Sequence, residues 1–563
     1  LHRAKPFATI AAEVVQRPLE GTAMTTVGAT TSTSSASSGL FARQSSGLVR
    51  DISPASNVIL NISFVSIPLA VLVATQAPAS FPGASPFWVT VICAVLCIFP
   101  VLLYSLFTAV MPRSGGDYVF MSRTLHPWAG FAANFNITAW YLLVIAYFGY
   151  LLTPFGLASA FTTIGAAAPS HTLTRWGADI AASKGWQFGI GAAALILTAL
   201  MMSVGLRRML KLQRAIFYLS LVGVAISVLL LLIHGRSDFV SSVSRFGGNY
   251  HKVIADAHKA GFTGGGGFDL GNTLLAMPLA FASFGYAIVT SYAGGEVRSP
   301  RSSGRTAMLL SLGISAVVVA ILMALASRTF GNDFLGSATT LSNAGSKAYP
   351  FGAPSFFFFF VSMLTTSTPL IVIINVSFVL AVFVALPATF LIATRSMFAW
   401  SFDRLVPERV SEVDPRTRSP LIANAITLIV TLIFLALIVF AGGGFLQMLF
   451  TAGLAEILTF MVVAIAGIVF PFRRRAMYES SPIARTAFGV PVITLAGIGA
   501  LVVYAFFFIS LATTDALGAN ASDGIRATVI IAAIAILLYP VSLILNRRRG
   551  VNLGLAFREL PPE

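Results

Sequence analysis

Apolar residues in this chain come in long uninterrupted runs, with the polar positions pushed into the intervals between them. A helix needs roughly 20 apolar residues to cross about 30 Å of hydrocarbon. Runs of that scale occur near 57–75, 87–110, 128–155, 186–204, 215–233, 271–293, 306–327, 370–394, 420–440, 446–471, 489–511 and 527–545. Eleven of the twelve contain no Asp, Glu, Lys, Arg or His, and the tenth contains one, Glu456. The pattern predicts an all-α polytopic membrane protein with twelve transmembrane helices. A shorter run, SFFFFFVSML (355–364), is too short to span and reads as an interfacial or re-entrant helix, or as an extension of the eighth span.

Composition agrees. Of 563 residues, 56% are hydrophobic and 10% charged, against about 25% charged in soluble domains. That excludes a soluble enzyme and a disordered chain. The net charge of +16 first raises nucleic acid as a partner. Its placement answers otherwise. With both termini cytoplasmic, 27 of the 36 Lys and Arg residues fall on the inner side and 9 on the outer, as the positive-inside rule expects. The basic face lies against anionic lipid, so the bilayer is the expected partner and nucleic acid is not. A multi-pass plasma-membrane protein with cytoplasmic N- and C-termini is expected.

Residues 1–50 include a Ser/Thr/Ala-rich tract (25–47) that is too polar to bury a core and is expected to be disordered in the cytoplasm. Residue 1 is Leu, and Met24 directly precedes the tract, which points to Met24 as the translation start. Cys93 and Cys97 share one helix face in the second span and read as packing residues. No metal-ligand spacing, cofactor motif or nucleophile–base pair appears, so neither a cofactor nor an enzyme is expected.

Two spans carry helix breakers. The first has Pro68 near its middle; the sixth has Pro278 and Gly285. Proline removes a backbone donor and glycine loosens a helix. Five helices separate one and six, so the second copy is inverted relative to the first. Matched interruptions in two halves point to a transporter's central site, although kinks are also common in membrane helices.

The loops add three strings. PRSGGDYVFMSRTLHPWAGF follows the second span, GGEVRSPRSSGRTAM the sixth, and RSMFAWSFDRLVPERVSEVDPRTRSP the eighth. In order and on one face, they resemble the amino acid–polyamine–organocation superfamily of permeases, over about residues 50 to 545. The resemblance implies two inverted five-helix repeats with helices one and six interrupted. The expected divisions are 51–234 for the first repeat, 235–270 for an extracellular loop, 271–471 for the second repeat, 472–545 for helices eleven and twelve, and 546–563 for a cytoplasmic tail.

The resemblance further implies a substrate held between the two breaks. Helix six keeps the pattern at Phe281, Ser283, Phe284, Gly285 and Tyr286, where an aromatic closes over ligand or packs the core. Helix one departs from the family's glycine-rich run, offering Ser63, Ser66, Ile67 and Pro68 instead, which weakens an α-amino acid as the specific substrate. Glu456 lies about 15 Å from either end of its span. A charge there is costly, so Glu456 faces the interior or carries a proton. It reads as a proton-coupling site, a partner for a cationic substrate group, or a structural hydrogen-bonding acid. Some proton-driven relatives place a lysine in helix five where this chain has Ser220. A sodium site built around Ser377 and Ser220 ranks below proton coupling. Glu296 and Asp403 are expected to pair with arginines such as Arg123 as a cytoplasmic gate, or to be solvated loop charges.

The expected function is import of amino acids or related organic amines by alternating access, driven by protons rather than sodium. A carrier or exchanger of polyamines or other amines is one alternative. A nutrient sensor that does not transport is another.

Overall fold

In a computed structural model the described residues are mostly helical; they are 47–549 and Phe557, apart from 169, 265–266, 301–303, 352, 442 and 521. The tract at 25–46, Met24, and residues 550–556 and 558–563 of the tail lie outside them. The described residues fall in one unit, Arg43–Glu563.

The first span is two helices in line, α1 (Pro54–Val65) and α2 (Ile67–Ser80). Ser53 caps α1 by accepting from the Ser56 N–H at 3.2 Å. Pro54 takes a first-turn position, where a missing N–H costs nothing. The second span is α3 (Pro86–Leu96) and α4 (Ile98–Val110), offset at Cys97. A short buried helix, α5 (Asp117–Thr124), precedes α6 (Pro127–Leu151). A π-helical stretch, Leu152–Ala158, joins α6 to α7 (Ser159–Ala167). Then come α8 (His171–Ala182), α9 (Lys184–Ser203) and α10 (Leu206–Ile233). The 235–270 interval holds α11 (Arg236–Arg245) and α12 (Tyr250–Lys259).

The sixth span is α13 (Leu270–Leu275) and α14 (Met277–Phe284). It is followed by α15 (Arg305–Thr329), α16 (Asn332–Asn343), α17 (Phe357–Met363) and α18 (Thr368–Phe402). The chain closes with α19 (Leu421–Phe440), α20 (Gly443–Arg473), α21 (Arg475–Glu479), a two-stranded hairpin of β1 (Thr486–Ala487) and β2 (Val490–Pro491), α22 (Val492–Thr513) and α23 (Ser522–Arg548).

Eleven of these units, counting paired segments as one, are long and apolar enough to cross a membrane, and Leu270–Phe284 is a twelfth, shorter apolar helix among the described residues. The expected sixth span ran to residue 293. Its helix instead stops at Phe284, and turns and 3-10 segments carry the chain through Val289–Ser291 and Gly294–Glu296. The backbone groups released there find partners elsewhere. Gly115 N–H donates to Tyr292 O at 2.9 Å, Ile52 N–H to Glu296 O at 2.9 Å, and Arg298 N–H to Ile52 O at 3.1 Å. A buried backbone group needs such a partner, and these bonds let the segment leave the helix without losing its hydrogen bonding.

A second difference lies at the end of the eighth span. The RSMFAWSF stretch, expected as loop, forms the last two turns of α18, with Arg395 buried. The phenylalanine-rich run forms the short helix α17 rather than an extension of α18, and Phe357 through Phe360 are all buried.

Burial separates centre from rim. The best apolar window of Pro54–Ser80 is 78% buried, whereas that of Thr528–Arg548 is 17% buried. Helices α1 and α2 therefore occupy the protein interior. The apolar side chains of α23, such as Val529, Ile530 and Leu537, are left facing outward, as a lipid-exposed helix requires.

Candidate functional site

The interruption in the first span is a single residue. Ser66 sits in the left-handed region, with φ 47° and ψ 81°. Its N–H still donates to Ile62 O at 2.8 Å, and its O accepts from Ala70 N–H at 2.9 Å. Its hydroxyl reaches Ala381 O at 3.4 Å. Pro68 brings no N–H for the carbonyl of Phe64, so the chain is polar at this depth.

Beside this break and α14 lies a cavity of ≈ 210 Å³. Phe64, Trp140, Phe281, Ser283, Tyr286 and Glu456 are among its walls. The Trp140 and Tyr286 rings stack at 5.8 Å between centroids, and Phe64 meets Tyr286 at 4.8 Å. Tyr286 donates its hydroxyl to Glu456 Oε1. Glu456 is 3% exposed, and among the described residues no Lys, Arg or His lines the cavity. The Ser283 hydroxyl is buried without a hydrogen-bond partner.

Of the residues expected to bind substrate, Phe281, Ser283 and Tyr286 line this cavity together with Glu456. Ser63, Ser66, Ile67, Pro68, Phe284 and Gly285 are buried near the breaks but are not among its walls. Helix one is represented instead by Phe64, Leu69, Leu72 and Val73. Ser377 packs against α10. It accepts from Gly223 N–H at 3.1 Å and donates to Leu219 O at 3.3 Å. Ser220 donates to Phe217 O at 2.7 Å. Both hydroxyls are thus committed to the α10 backbone.

At the end of the bundle that carries α5, two ion pairs are buried. Asp403 accepts from Arg123 Nη1 at 2.5 Å and Nη2 at 2.8 Å, and from the Tyr118 hydroxyl at 2.7 Å. Glu296 accepts from Arg395 Nε at 2.5 Å and Nη2 at 2.9 Å. Both pairs are bidentate, the strong geometry for guanidinium on carboxylate. The partner of Glu296 is therefore a helical arginine of α18 rather than one of the loop arginines.

A third acid at this end escaped the sequence reading. Asp117 is wholly buried and meets no cation in hydrogen-bond contact. Tyr292 donates to its Oδ2 at 2.8 Å; Asn134 Nδ2 and the Tyr118 N–H donate to Oδ1 at 2.6 and 2.9 Å. The Trp400 indole, which can only donate, takes Asn134 Oδ1 at 2.7 Å, which turns the Asn134 amide NH₂ toward Asp117. Burial pushes the Asp117 carboxyl up to about 7, the hydrogen bonds opposing it only in part. The available signals were an acid directly after the Gly115–Gly116 turn and an asparagine within an apolar span.

The bundle and its cavity suit a membrane protein that handles something small. The family described as amino acid permease matches residues 53–542. The chain belongs to the amino acid permease family. It is thus a member of the amino acid–polyamine–organocation superfamily and a multi-pass membrane transporter of amino acids. No curated protein matches the permease.

Proposed function

We propose that this permease imports amino acids or related organic amines across the plasma membrane by alternating access. In this reading, two inverted five-helix repeats and two further helices make up twelve spans, and both termini face the cytoplasm. Substrate occupies the cavity between the Ser66 break and α14, and Glu456 is the proton-coupling group. The observation that carries the proposal is the placement of Glu456. Among the described residues it is the one acid on the cavity wall, it is bonded to the residue that follows the α14 break, and no basic side chain lines the space with it. An acid so placed exchanges one proton, or meets one ammonium group, without a competing cation.

Size narrows the ligand. Benzene fills a cavity of about 150 Å³, so this one holds about eight non-hydrogen atoms, the scale of a small amino acid. The aromatic walls favour an apolar side chain. A single carboxylate supports one amine and gives a polyamine's second charge no partner. The Arg123–Asp403 and Glu296–Arg395 pairs serve as the inner gate. The committed hydroxyls of Ser377 and Ser220 favour protons over sodium.

The test is reconstitution in liposomes with labelled amino acids. Glu456→Gln is expected to abolish accumulation driven by a pH gradient while counterflow exchange continues. Unchanged pH-driven accumulation removes Glu456 from the coupling role. Absence of exchange with every substrate in the wild type overturns transport itself.

A further inference from the structure

Between Glu456 and Asp117 the structure sets three tyrosines. Tyr286 is bonded to Glu456 and Tyr292 to Asp117. Tyr141, on α6, lies between them, with ring centroids 6.4 Å from Tyr286 and 6.0 Å from Tyr292. Its hydroxyl is buried, makes no hydrogen bond of full geometry, and has the Tyr292 hydroxyl as its nearest polar neighbour. A buried hydroxyl so weakly held is free to turn, and this one stands between two tyrosines that are each anchored on an acid. Tyr286 and Tyr292 also bracket the stretch where the sixth span leaves its helix.

We propose that Asp117 is a second proton-binding site of the permease, in line with Glu456 through Tyr286, Tyr141 and Tyr292. The proposal takes the proton-coupling reading of Glu456 as its starting point.

The bonding of Asp117 explains what a proton would change. As a carboxylate it accepts from three donors, and the Tyr292 hydroxyl hydrogen is committed to Oδ2. A proton added to Oδ2 reverses that bond. The acid then donates to the Tyr292 oxygen, and the Tyr292 hydrogen is freed toward Tyr141. A transfer along the row balances. Glu456 gives its proton to Tyr286, each tyrosine passes its own hydroxyl hydrogen to the next oxygen, and Tyr292 gives one to Asp117. Glu456 ends as a carboxylate, Asp117 as an acid, and all three tyrosines are neutral.

The charged surroundings leave Asp117 free to titrate. Among the described residues, the groups that feel the Asp117 charge include Tyr292, Tyr141, Tyr104 and Tyr504, a residue type that carries no charge near neutral pH. The buried arginines of this end, Arg123 and Arg395, are each paired with another acid, Asp403 and Glu296. Asp117 belongs to α5, between membrane spans, and a carboxyl near 7 changes its protonated fraction about tenfold between about pH 6 and about pH 8.

The test uses the full chain in liposomes, with transport rate followed against pH on each side of the membrane and infrared difference spectra taken between about pH 6 and about pH 8. Asp117→Asn is expected to flatten the pH dependence of net transport to less than about twofold and to delete a protonated-carboxyl band that Glu456→Gln retains. Tyr292→Phe removes a donor to the carboxylate. The midpoint of the carboxyl band is expected to move upward and pH-driven transport to fall with the fold intact, which covers a misfolded Asp117→Asn protein. A wild-type pH profile and an intact band in Asp117→Asn overturn the inference and leave Glu456 untouched. Coupling that survives Glu456→Gln but not Asp117→Asn upholds Asp117 as a proton site and overturns both the role proposed for Glu456 and the row that joins the two.

Discussion

Removing Arg123 tests the ion pair at the α5 end. The perturbation is Arg123→Met, which keeps most of the aliphatic bulk and removes the guanidinium. The side chains of Arg123 and Asp403 are 2% and 1% exposed. Asp403 would keep the Tyr118 hydroxyl but lose both charge-assisted bonds from Arg123. In the reverse variant, Asp403→Asn, the Arg123 cation keeps Ser122 Oγ at 2.9 Å and the Phe557 ring at 5.0 Å. Stranding one member of a buried pair costs about 3–5 kcal/mol, whereas replacing both by apolar groups of similar size is often neutral. Each single variant should therefore be strongly destabilised, and Arg123→Met with Asp403→Leu should recover most of the loss. The protein carries its own reporter, because Cys93 and Cys97 are fully buried thiols. Their labelling by a fluorogenic maleimide in detergent follows unfolding. A loss of 3–5 kcal/mol expressed in the unfolding rate means labelling faster by roughly 100-fold or more. Labelling of Arg123→Met within about fivefold of wild type, the effect of a solvated surface pair, refutes the reasoning. So does a double variant as unstable as the two losses added together.

Two further perturbations address the backbone, read by the same labelling. Ser66→Val places a β-branched side chain at φ 47° and is expected to cost about 2 kcal/mol, whereas Ser66→Gly costs nothing. Gly115→Ala, at φ 105°, brings a Cβ to 2.4 Å from Ala399 Cβ and is expected to cost about 2–3 kcal/mol and to slow transport, while Gly313→Ala in α15, where a Cβ meets nothing within 4 Å, costs nothing.

The spans were legible because hydrocarbon leaves a chain few choices: an apolar run of about 20 residues has to be a helix. The break at Ser66 was legible for a similar local reason, since Pro68 cannot supply the donor that an unbroken helix would use. The sixth span shows where that reasoning ends. Gly285 marked a loosening, but nothing in residues 286–293 announces that the helix does not resume after it, because the bonds that replace it come from residues 52 and 115, remote in sequence. Arg395 read as a loop charge for the same reason. Its partner Glu296 lies 99 residues away, and only that carboxylate makes a buried arginine tolerable in a helix. Glu456 stood out as a lone acid in an apolar run. Asp117 looked like one charge among several in a loop, and its isolation from cations is a property of the folded chain.

The Arg123–Asp403 pair also bears on how the molecule is made. Asp403 is synthesised 280 residues after Arg123. At about 5–20 residues per second, that leaves Arg123 without its carboxylate for roughly 14–56 s. Throughout that interval an arginine destined for a dry interior has to remain at the membrane surface or in the keeping of the insertion machinery. The α5 end of the bundle is therefore sealed late in biogenesis, once α18 has emerged, and chains truncated before residue 403 should be the ones that quality control recognises.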